Sequence, residues 1–381
     1  MPAERDGDSV RRRRRRRTRG VLAVAALAAA AWAVRDIPLA LGGRAAGPRA
    51  ERVGRSAQFR AGKFRNREST HTMVGVPDQA VLRELFFGAS RRRPTGPIPV
   101  VRPGPTDAAG SSGALAVTWY GHASALVELD GRRVLIDPIW SDRCSPSRLV
   151  GPRRLHPPPV ALADLPPVDA ILISHDHYDH LDLPTVRALS RGGSAPFVVP
   201  LGVGAHLERW GVPADRIVEL DWDESATVAG LTLTATAARH FSGRGFSRDR
   251  TLWASWVIAG ADRRVFYTGD SGYFEGYAEI GATYGPFDVT LMQIGAYDPA
   301  WPNIHMFPEE AVAAHLDLRG DVLIPVHWAT FDLALHTWAD PVNRLWREAK
   351  ARDVRLAVPR PGERIDLADP PPLDPWWESV T

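Results

Sequence analysis

The chain has 381 residues, 44% of them hydrophobic and 24% charged, which is enough apolar material for one large domain or two. Its single cysteine, Cys144, excludes an intrachain disulfide and a zinc site built on several thiolates. The net charge of +3 is uneven, because residues 1–20 carry nine arginines and three acids, a local +6 that leaves −3 for the rest. A mildly acidic body argues against a nucleic-acid partner.

Residues 1–35 form a basic leader with a short apolar segment. Arg11 through Arg17 precede the run VLAVAALAAAAWAV, an order typical of a secretory signal or a membrane anchor. Fourteen helical residues reach about 21 Å, short of the roughly 30 Å hydrocarbon core, and Arg35 and Asp36 block a simple extension. We therefore predict a membrane-associated or exported protein. The alternative is a cytoplasmic protein with a disordered basic tail.

Residues 36–112 are rich in Gly, Arg and Pro, and we expect an irregular linker that wraps the body, with a short helix near Leu82–Phe87. From Leu115 the pattern changes to short β-type runs. They are LAVTW, ALVEL, RRVLIDP, AILIS, FVVPL, RIVEL, ATV, LTLTATAA, SWVIAGADRRVFYTG, VTLMQIG, VLIPVHW and VRLAVP, with a hairpin at Asp130-Gly131.

Helices are predicted between these strands at Pro184–Arg191, Ala205–Trp210, PEEAVAAHLDL and Pro341–Arg352. Many short strands with a few helices predict packed sheets covered by helices, an α+β architecture. We assign residues 113–367 to one catalytic domain and 368–381 to a C-terminal tail.

Four of the predicted strands end in a potential metal ligand. AILIS, LTLTATAAR, RVFYTG and VLIPV are followed by His175, His240, Asp270 and His327, respectively. Strand ends that meet at one rim would bring these four side chains together. Imidazole and carboxylate groups suit zinc, and iron and manganese accept the same ligand types.

The stretch ISHDHYDHLD supplies further ligands directly after AILIS. In an extended segment, residues two apart face the same way, so His175 and His177 can bind one ion together with His240. A turn after Tyr178 can present Asp179 and His180 to a second ion beside His327. Asp270 would then bridge the two ions.

Segments outside this motif carry a family resemblance. VTWYGHASALVEL, DPIWSDRCSP, IGAYDPAW, HMFPEEAV and PVHWATF, together with ISHDHYDHLD, resemble the metallo-β-lactamase-fold hydrolases. Within that superfamily the chain is most similar to N-acyl-phosphatidylethanolamine-hydrolysing phospholipase D and its bacterial relatives, over roughly residues 64–362. The resemblance implies a four-layer αββα sandwich with two Zn²⁺ ions at the sheet edges. It places the metal ligands at His175, His177, Asp179, His180, His240, Asp270 and His327, and implies that Asp137 supports the site without binding a metal.

The chemistry expected of this site is hydrolysis by a hydroxide shared between two metals, with a phosphodiester as the best-fitting substrate. Asp179 or Asp270 would steer the hydroxide and take its proton. His305 would contact the phosphate or protonate the leaving oxygen. His122 is expected at most to line the pocket. The alternatives are a hydrolase of a carboxylic ester, lactone or lactam on the same metals, and a metal-binding protein without turnover.

Overall fold

The computed structural model describes residues 35–73, 91–102, 115–245 and 247–380. The leader, except Arg35, and the Leu82–Phe87 helix lie outside these residues. In the described ranges, none of the helices has the length and hydropathy needed to span a bilayer.

The segment that we expected to be irregular contains regular elements. Helix α1 (Ile37–Ala40) and helix α2 (Gly47–Arg55) each have a proline at the first or second helical position, where the missing N–H has no intrahelical partner to lose. Strands β1 (Phe59–Arg60) and β2 (Lys63–Phe64) form an antiparallel hairpin. Phe64 is buried in the main core, so this segment packs on the body.

The body of the described chain is built on two seven-stranded sheets. The strands of the first sheet are β3 (Leu115–Gly121), β4 (Ser124–Leu129), β5 (Arg132–Ile136), β6 (Ala170–Leu172), β7 (Phe197–Pro200), β8 (Ile217–Leu220) and β16 (Arg364–Asp366). The strands of the second sheet are β9 (Ser225–Val228), β10 (Leu231–Thr236), β11 (Ser255–Ala259), β12 (Arg264–Tyr267), β13 (Phe287–Gln293), β14 (Gly320–Val326) and β15 (Arg355–Leu356).

The spatial orders are β16-β3-β4-β5-β6-β7-β8 and β15-β14-β13-β12-β11-β10-β9. In each sheet one half is antiparallel, and the pairs from β5 to β8 and from β12 to β15 are parallel. Parallel strands have their carboxyl ends at the same edge of a sheet. The loops after β6, β12 and β14 all leave the carboxyl ends of such strands. These loops carry all of the predicted ligands except His240, which follows β10.

Successive side chains of a strand point to opposite faces of the sheet, which separates the inner core from an outer apolar cluster. Leu172 and Val198 face the core shared with the second sheet, whereas Ile171 and Phe197 face a separate apolar cluster on the outer side. Helices α3 (Leu183–Gly192) and α4 (Gly204–Arg209) cover that outer side. Helices α5 (Gly276–Tyr284), α6 (Pro308–Asp317) and α7 (Asp340–Ala351) accompany the second sheet. The layers are therefore helix, sheet, sheet and helix, as expected.

Local signals explain where the helices begin. In α3, Pro184 occupies the first turn and the Asp182 carboxylate accepts a hydrogen bond from the Thr185 N–H (3.3 Å), which caps the helix. In α6, the Glu310 carboxylate accepts from the Phe307 N–H (2.9 Å). Helix α5 was not predicted, because its two glycines weaken the helical signal. Gly281 is required there, since a Cβ would overlap the backbone at Asp317 and Leu318, where α5 approaches α6.

The last residues of the chain are also part of the core. A 3₁₀ helix spans Trp376–Val380, and both of its tryptophans are buried. Trp376 and Trp377 lie 5.5 and 6.3 Å from Trp328, measured between ring centroids. The segment expected to be a tail therefore packs behind the strand end that carries His327.

Candidate metal centre

The loops at one edge of the sandwich bring the seven predicted ligands together. They fall into two adjoining groups, the first formed by His175, His177, His240 and Asp270 and the second by Asp179, His180 and His327 together with His122. Within each group the candidate ligand atoms all lie within 4.8 Å of one another. Whether they bind metal remains a prediction, which the local geometry supports as follows.

In the first group, three ring nitrogens point at a common centre. His177 Nδ1 lies 2.9 Å from His175 Nε2 and 3.2 Å from His240 Nε2. Donor atoms about 2.0 Å from a tetrahedral ion are about 3.3 Å apart, so this spacing fits a shared cation. The Nδ1 atom of His240 donates to the carbonyl oxygen of Ile304 (2.9 Å), which leaves Nε2 with a lone pair for the metal.

Asp270 lies between the two groups. Its Oδ2 is 3.8 Å from both His175 Nε2 and His240 Nε2, and its Oδ1 is 3.1 Å from His327 Nε2. Oδ2 also lies 3.2 Å from His180 Nε2 of the second group, so the carboxylate contacts both groups, as a bridging ligand would. Burial alone would raise the pKa of Asp270, but the rings of His180 and His327 lower it well below the usual range, so the side chain is ionised.

In the second group, Asp179 is the central residue. Its Oδ2 lies 3.0 Å from His122 Nε2, 3.2 Å from His327 Nε2 and 3.6 Å from His180 Nε2. Burial lowers the pKa of His180, but the carboxylates of Asp270 and Asp179 more than offset this and raise it well above the usual value. The two carboxylates thus make a strongly negative site, where a metal cation would compete with protons for the imidazole.

His122 is the residue that sequence reasoning underrated. It follows β3, whose pairing with β4 shifts register between Trp119 and Gly121, and its backbone N–H donates to Thr330 Oγ1 (2.6 Å). Its carbonyl oxygen accepts from the His327 N–H (2.8 Å), so the two histidines are tied together across the sheets. The available signal was the same as for the predicted ligands, namely a histidine directly after a β-type run.

The backbone at this edge is strained. His122, Asp137 and His327 have φ values of +51°, +37° and +64°, respectively, in a region that non-glycine residues rarely occupy. Such conformations persist only where the surroundings enforce them, and they cluster at functional sites. At each of these three residues the backbone turns sharply at the end of a strand, which directs the side chain along the edge of the sheets.

Asp137 supports the second group from behind. Its carboxylate is fully buried and accepts from the Ser174 N–H (2.7 Å), the Ser174 hydroxyl (2.5 Å), His180 Nδ1 (2.7 Å) and the Tyr267 hydroxyl (2.5 Å). Because a carboxylate only accepts, the proton of neutral His180 sits on Nδ1. The Nε2 atom is then free to face Asp179 and Asp270.

Buried polar atoms without hydrogen-bond partners test whether the residues at this edge fit a cation. Such atoms occur at several places in the described residues, and those at this edge are His180 Nε2, Asp270 Oδ1 and the Nδ1 atoms of His122, His305 and His327. Unpaired buried polar groups are costly in native proteins. Two of these atoms, His180 Nε2 and Asp270 Oδ1, are also the atoms through which predicted ligands face the second group. The residues present therefore fit a pair of divalent ions held by nitrogen and oxygen ligands.

A cavity of about 250 Å³ opens over both groups. His177, Asp179, Asp270 and His327 lie on its floor, and His305 lies beside them with Nδ1 4.0 Å from Asp270 Oδ2. Burial lowers the pKa of His305 to about 4, so the ring is neutral near pH 7. Larger cavities of about 420 and 560 Å³ lie against the N-terminal segment, but the convergent ligands mark the smaller one as the site.

Comparison with known proteins agrees with the fold and this centre. Residues 132–328, just over half of the chain, match the family model described as the β-lactamase superfamily domain. The fold and the His/Asp centre define a metal-dependent hydrolase. The chain belongs to the metallo-β-lactamase superfamily.

Several relatives are similar over long stretches. An uncharacterized protein of Mycobacterium tuberculosis is 53% identical over 358 residues, 92% of this chain and 95% of that one. N-acyl-phosphatidylethanolamine-hydrolyzing phospholipase D 1 of Caenorhabditis elegans is 37% identical over 256 residues, 64% of this chain and 72% of that one. Igni18, a metallo hydrolase of Ignicoccus hospitalis, superimposes with a TM-score of 0.52 at 25% identity, over 66% of this chain and 97% of that one.

Proposed function

We propose that the chain is a zinc-dependent phosphodiesterase of phospholipase D type that acts on N-acyl-phosphatidylethanolamine-like lipids. The observation that carries the proposal is the pair of His/Asp groups, joined by Asp270, beneath a cavity with a basic and apolar rim. The similarity to a nematode enzyme named for hydrolysis of such a lipid supports the substrate class.

The rim of the cavity suits an amphiphilic anion. Apolar side chains of Met73, Phe241, Trp301 and Leu333 line it, and the Met73 side chain is 55% exposed. Arg248 is the cation at this rim, and its guanidinium lies 4.9 Å from the centre of the Phe241 ring. Within the described residues no carboxylate pairs with Arg248, so its charge is available to a phosphodiester, while the apolar wall accommodates the lipid portion.

Two zinc ions, when bound, would supply Lewis acidity at the phosphoryl oxygens and a nearby water of lowered pKa. Asp179 or Asp270 would hydrogen-bond the attacking water and take its proton. As the new O–P bond forms, the P–O bond to the N-acylethanolamine breaks, and the carboxylate returns the proton to the leaving oxygen. The products are phosphatidic acid and N-acylethanolamine.

His305 acts in this scheme by hydrogen bonding. Because its pKa of about 4 leaves the ring neutral near pH 7, it is a poor source of a proton for the leaving oxygen. A neutral imidazole still carries one N–H, which can donate to a phosphoryl oxygen in the cavity. Of the two roles expected for His305, contact with the phosphate is therefore the better supported.

A lipid hydrolysis screen on purified, zinc-loaded protein tests the proposal. Release of N-acylethanolamine and phosphatidic acid, identified by mass, is the expected result, together with turnover of bis(4-nitrophenyl) phosphate. A lactone and a chromogenic β-lactam are assayed in parallel. Turnover of these carbonyl substrates without any phosphodiester cleavage would contradict the proposal, and metal binding without turnover of any substrate would indicate a metal-binding protein.

The leader concerns how the enzyme would reach its lipid substrate. We propose that residues 1–35 export the body or hold it at a membrane, since the arginine run favours the cytoplasmic side and is attracted to anionic lipid by about 1 kcal/mol per arginine. Fractionation of cells that make the full chain tests this. Recovery of the uncleaved chain entirely in the soluble cytoplasm would contradict it.

A further inference from the structure

The segment 37–45, which we call the N-terminal strap, directly follows the leader and its flanking Asp36. Three successive carbonyl oxygens of its helix α1 accept hydrogen bonds from side chains of the body. The bonds join Pro38 O to Arg209 Nη2 (3.1 Å), Leu39 O to Trp210 Nε1 (2.8 Å) and Ala40 O to Arg244 Nε (2.7 Å). The strap is thereby fixed to helix α4 and to the loop that contains Arg244.

Two glycines let the strap approach α4 closely. Gly42 has a φ of +79°, and a Cβ there would overlap the His206 ring. A Cβ on Gly43 would overlap the carbonyl oxygen of Ala205. Only glycine allows both the left-handed backbone and the contact at position 42. The strap therefore lies directly on His206.

Arg244 connects the strap to the metal-binding loop. Its guanidinium is buried, and while Nε binds the strap, Nη1 donates to the carbonyl oxygens of Asp176 (2.6 Å) and Leu181 (2.8 Å). The Tyr178 hydroxyl donates to the Arg244 carbonyl oxygen (2.6 Å), and the Tyr178 ring lies 4.1 Å from the guanidinium carbon. One buried cation thus holds both ends of the turn that presents the predicted ligands.

His206 provides a second connection to the same turn. The Asp176 carboxylate lies between the two predicted ligands His175 and His177 and accepts from the Gly243 N–H (2.7 Å) and the Thr251 hydroxyl (3.0 Å). His206 Nε2 lies 3.3 Å from the same carboxylate. The ring covered by the strap therefore contacts the residue whose backbone aims both ligands.

We propose that the N-terminal strap holds the His175–His180 turn in its metal-binding conformation, with Arg244 and His206 as positioning residues. This inference rests on the metal site of the proposed function but not on its substrate. The strap and the metal site are then linked by a continuous set of contacts through Arg244 and His206. Metal binding requires the strap and does not require the leader.

A glycine pair gives a matched test. Gly42→Ala forces the strap away from His206, whereas Gly47→Ala adds a side chain at another positive-φ glycine (+53°) with no atom within 4 Å of its Cβ. Zinc affinity is measured by competition with a chromophoric chelator, ligand geometry by the absorption spectrum of the cobalt form, and folding by circular dichroism. We expect Gly42→Ala to bind metal about 10–100-fold more weakly with an altered cobalt spectrum, and Gly47→Ala to match the wild type.

Two further comparisons keep the test decisive if Gly42→Ala does not fold. Arg244→Lys lacks the planar fork in which Nε binds the strap while Nη1 binds the turn, whereas Arg209→Lys alters a strap contact that does not touch the turn. Deletion of residues 1–34 should leave zinc affinity unchanged, and deletion of residues 1–45 should reduce it. Wild-type affinity and cobalt spectrum in folded Arg244→Lys or in the longer deletion would overturn the inference. Failure of the full-length chain to bind zinc would instead refute the metal site of the proposed function.

Discussion

Asp137→Asn tests how the site selects the nitrogen that His180, a predicted ligand, would offer to a metal. The Asp137 carboxylate accepts four hydrogen bonds, three of them on Oδ2. An asparagine amide nitrogen at the Oδ2 position would donate instead. The hydroxyls of Ser174 and Tyr267 can rotate and become acceptors, but His180 Nδ1 can accept only if its proton moves to Nε2. That tautomer places a hydrogen on the atom that faces Asp179 and Asp270.

The expected losses of stability and of zinc affinity follow from the number of hydrogen bonds that Asp137→Asn disturbs. If two hydroxyls reorient and one imidazole changes tautomer, at most about one buried group stays unsatisfied, which costs about 1–3 kcal/mol of stability, so the fold should survive. Zinc affinity of the second group should fall about 10–100-fold, the usual effect of losing a partner that orients a ligand. Turnover should fall at least in proportion.

Chelator competition for zinc and thermal unfolding of the metal-free protein measure the two effects separately. Asp321→Asn is the matched control, because Asp321 lies at the opposite end of the strand that leads to His327, is half-exposed and pairs only with Arg355 among the described residues. The reasoning is refuted if Asp137→Asn binds two zinc ions with wild-type affinity. A large loss of stability with unchanged zinc affinity would show that Asp137 serves the fold alone.

Three further outcomes are expected. Asp270→Asn should keep the fold but lose most turnover, because the nearly isosteric amide lacks the negative charge between the two groups; a near wild-type rate would show that Asp270 is not the bridge. His177→Ala should abolish activity and lower the zinc content from two ions per chain, and elemental analysis giving one ion or fewer in fully active wild-type protein would contradict the dinuclear site. Arg248→Met should raise KM for bis(4-nitrophenyl) phosphate by about tenfold, the effect of about 1.4 kcal/mol, and leave any lactone turnover unchanged; equal effects on both substrates would show that Arg248 does not bind the anion.

Much of the geometry of the site was predictable because the candidate ligands follow strands whose β pattern is clear. AILIS and VLIPV correspond to β6 and β14, and His175 and His327 follow these strands within three residues. The order of the strands was not needed for this prediction, since two packed sheets whose carboxyl ends meet at one edge gather the side chains whatever that order is. The His-x-His-x-Asp-His spacing then favoured metal binding over a purely structural role for these histidines and aspartates.

What the sequence could not predict depends on contacts between distant segments. His206 looked like an ordinary helix residue, and its role appears only because the chain brings it to Asp176, thirty positions earlier. Strand β16 is short, and its sequence has only a weak β pattern. It forms because β3 would otherwise have an unpaired edge, and Ile365 pairs there with Val117. Helix α5 has weak intrinsic propensity and is stabilised by packing against α6.

The candidate ligands are divided between the two sheets, which explains why hydrogen bonds join the sheets around the site. His122 and the His175–His180 turn belong to the first sheet, whereas His240, Asp270 and His327 belong to the second. Each group therefore takes ligands from both sheets, and a shift of one sheet against the other would pull every group apart. The His327 N–H bond to the His122 carbonyl and the hydrogen bond from Tyr267 to Asp137 cross this same boundary. Ions bound here would add to those bridges, so the centre that performs the chemistry would also hold the two sheets in register.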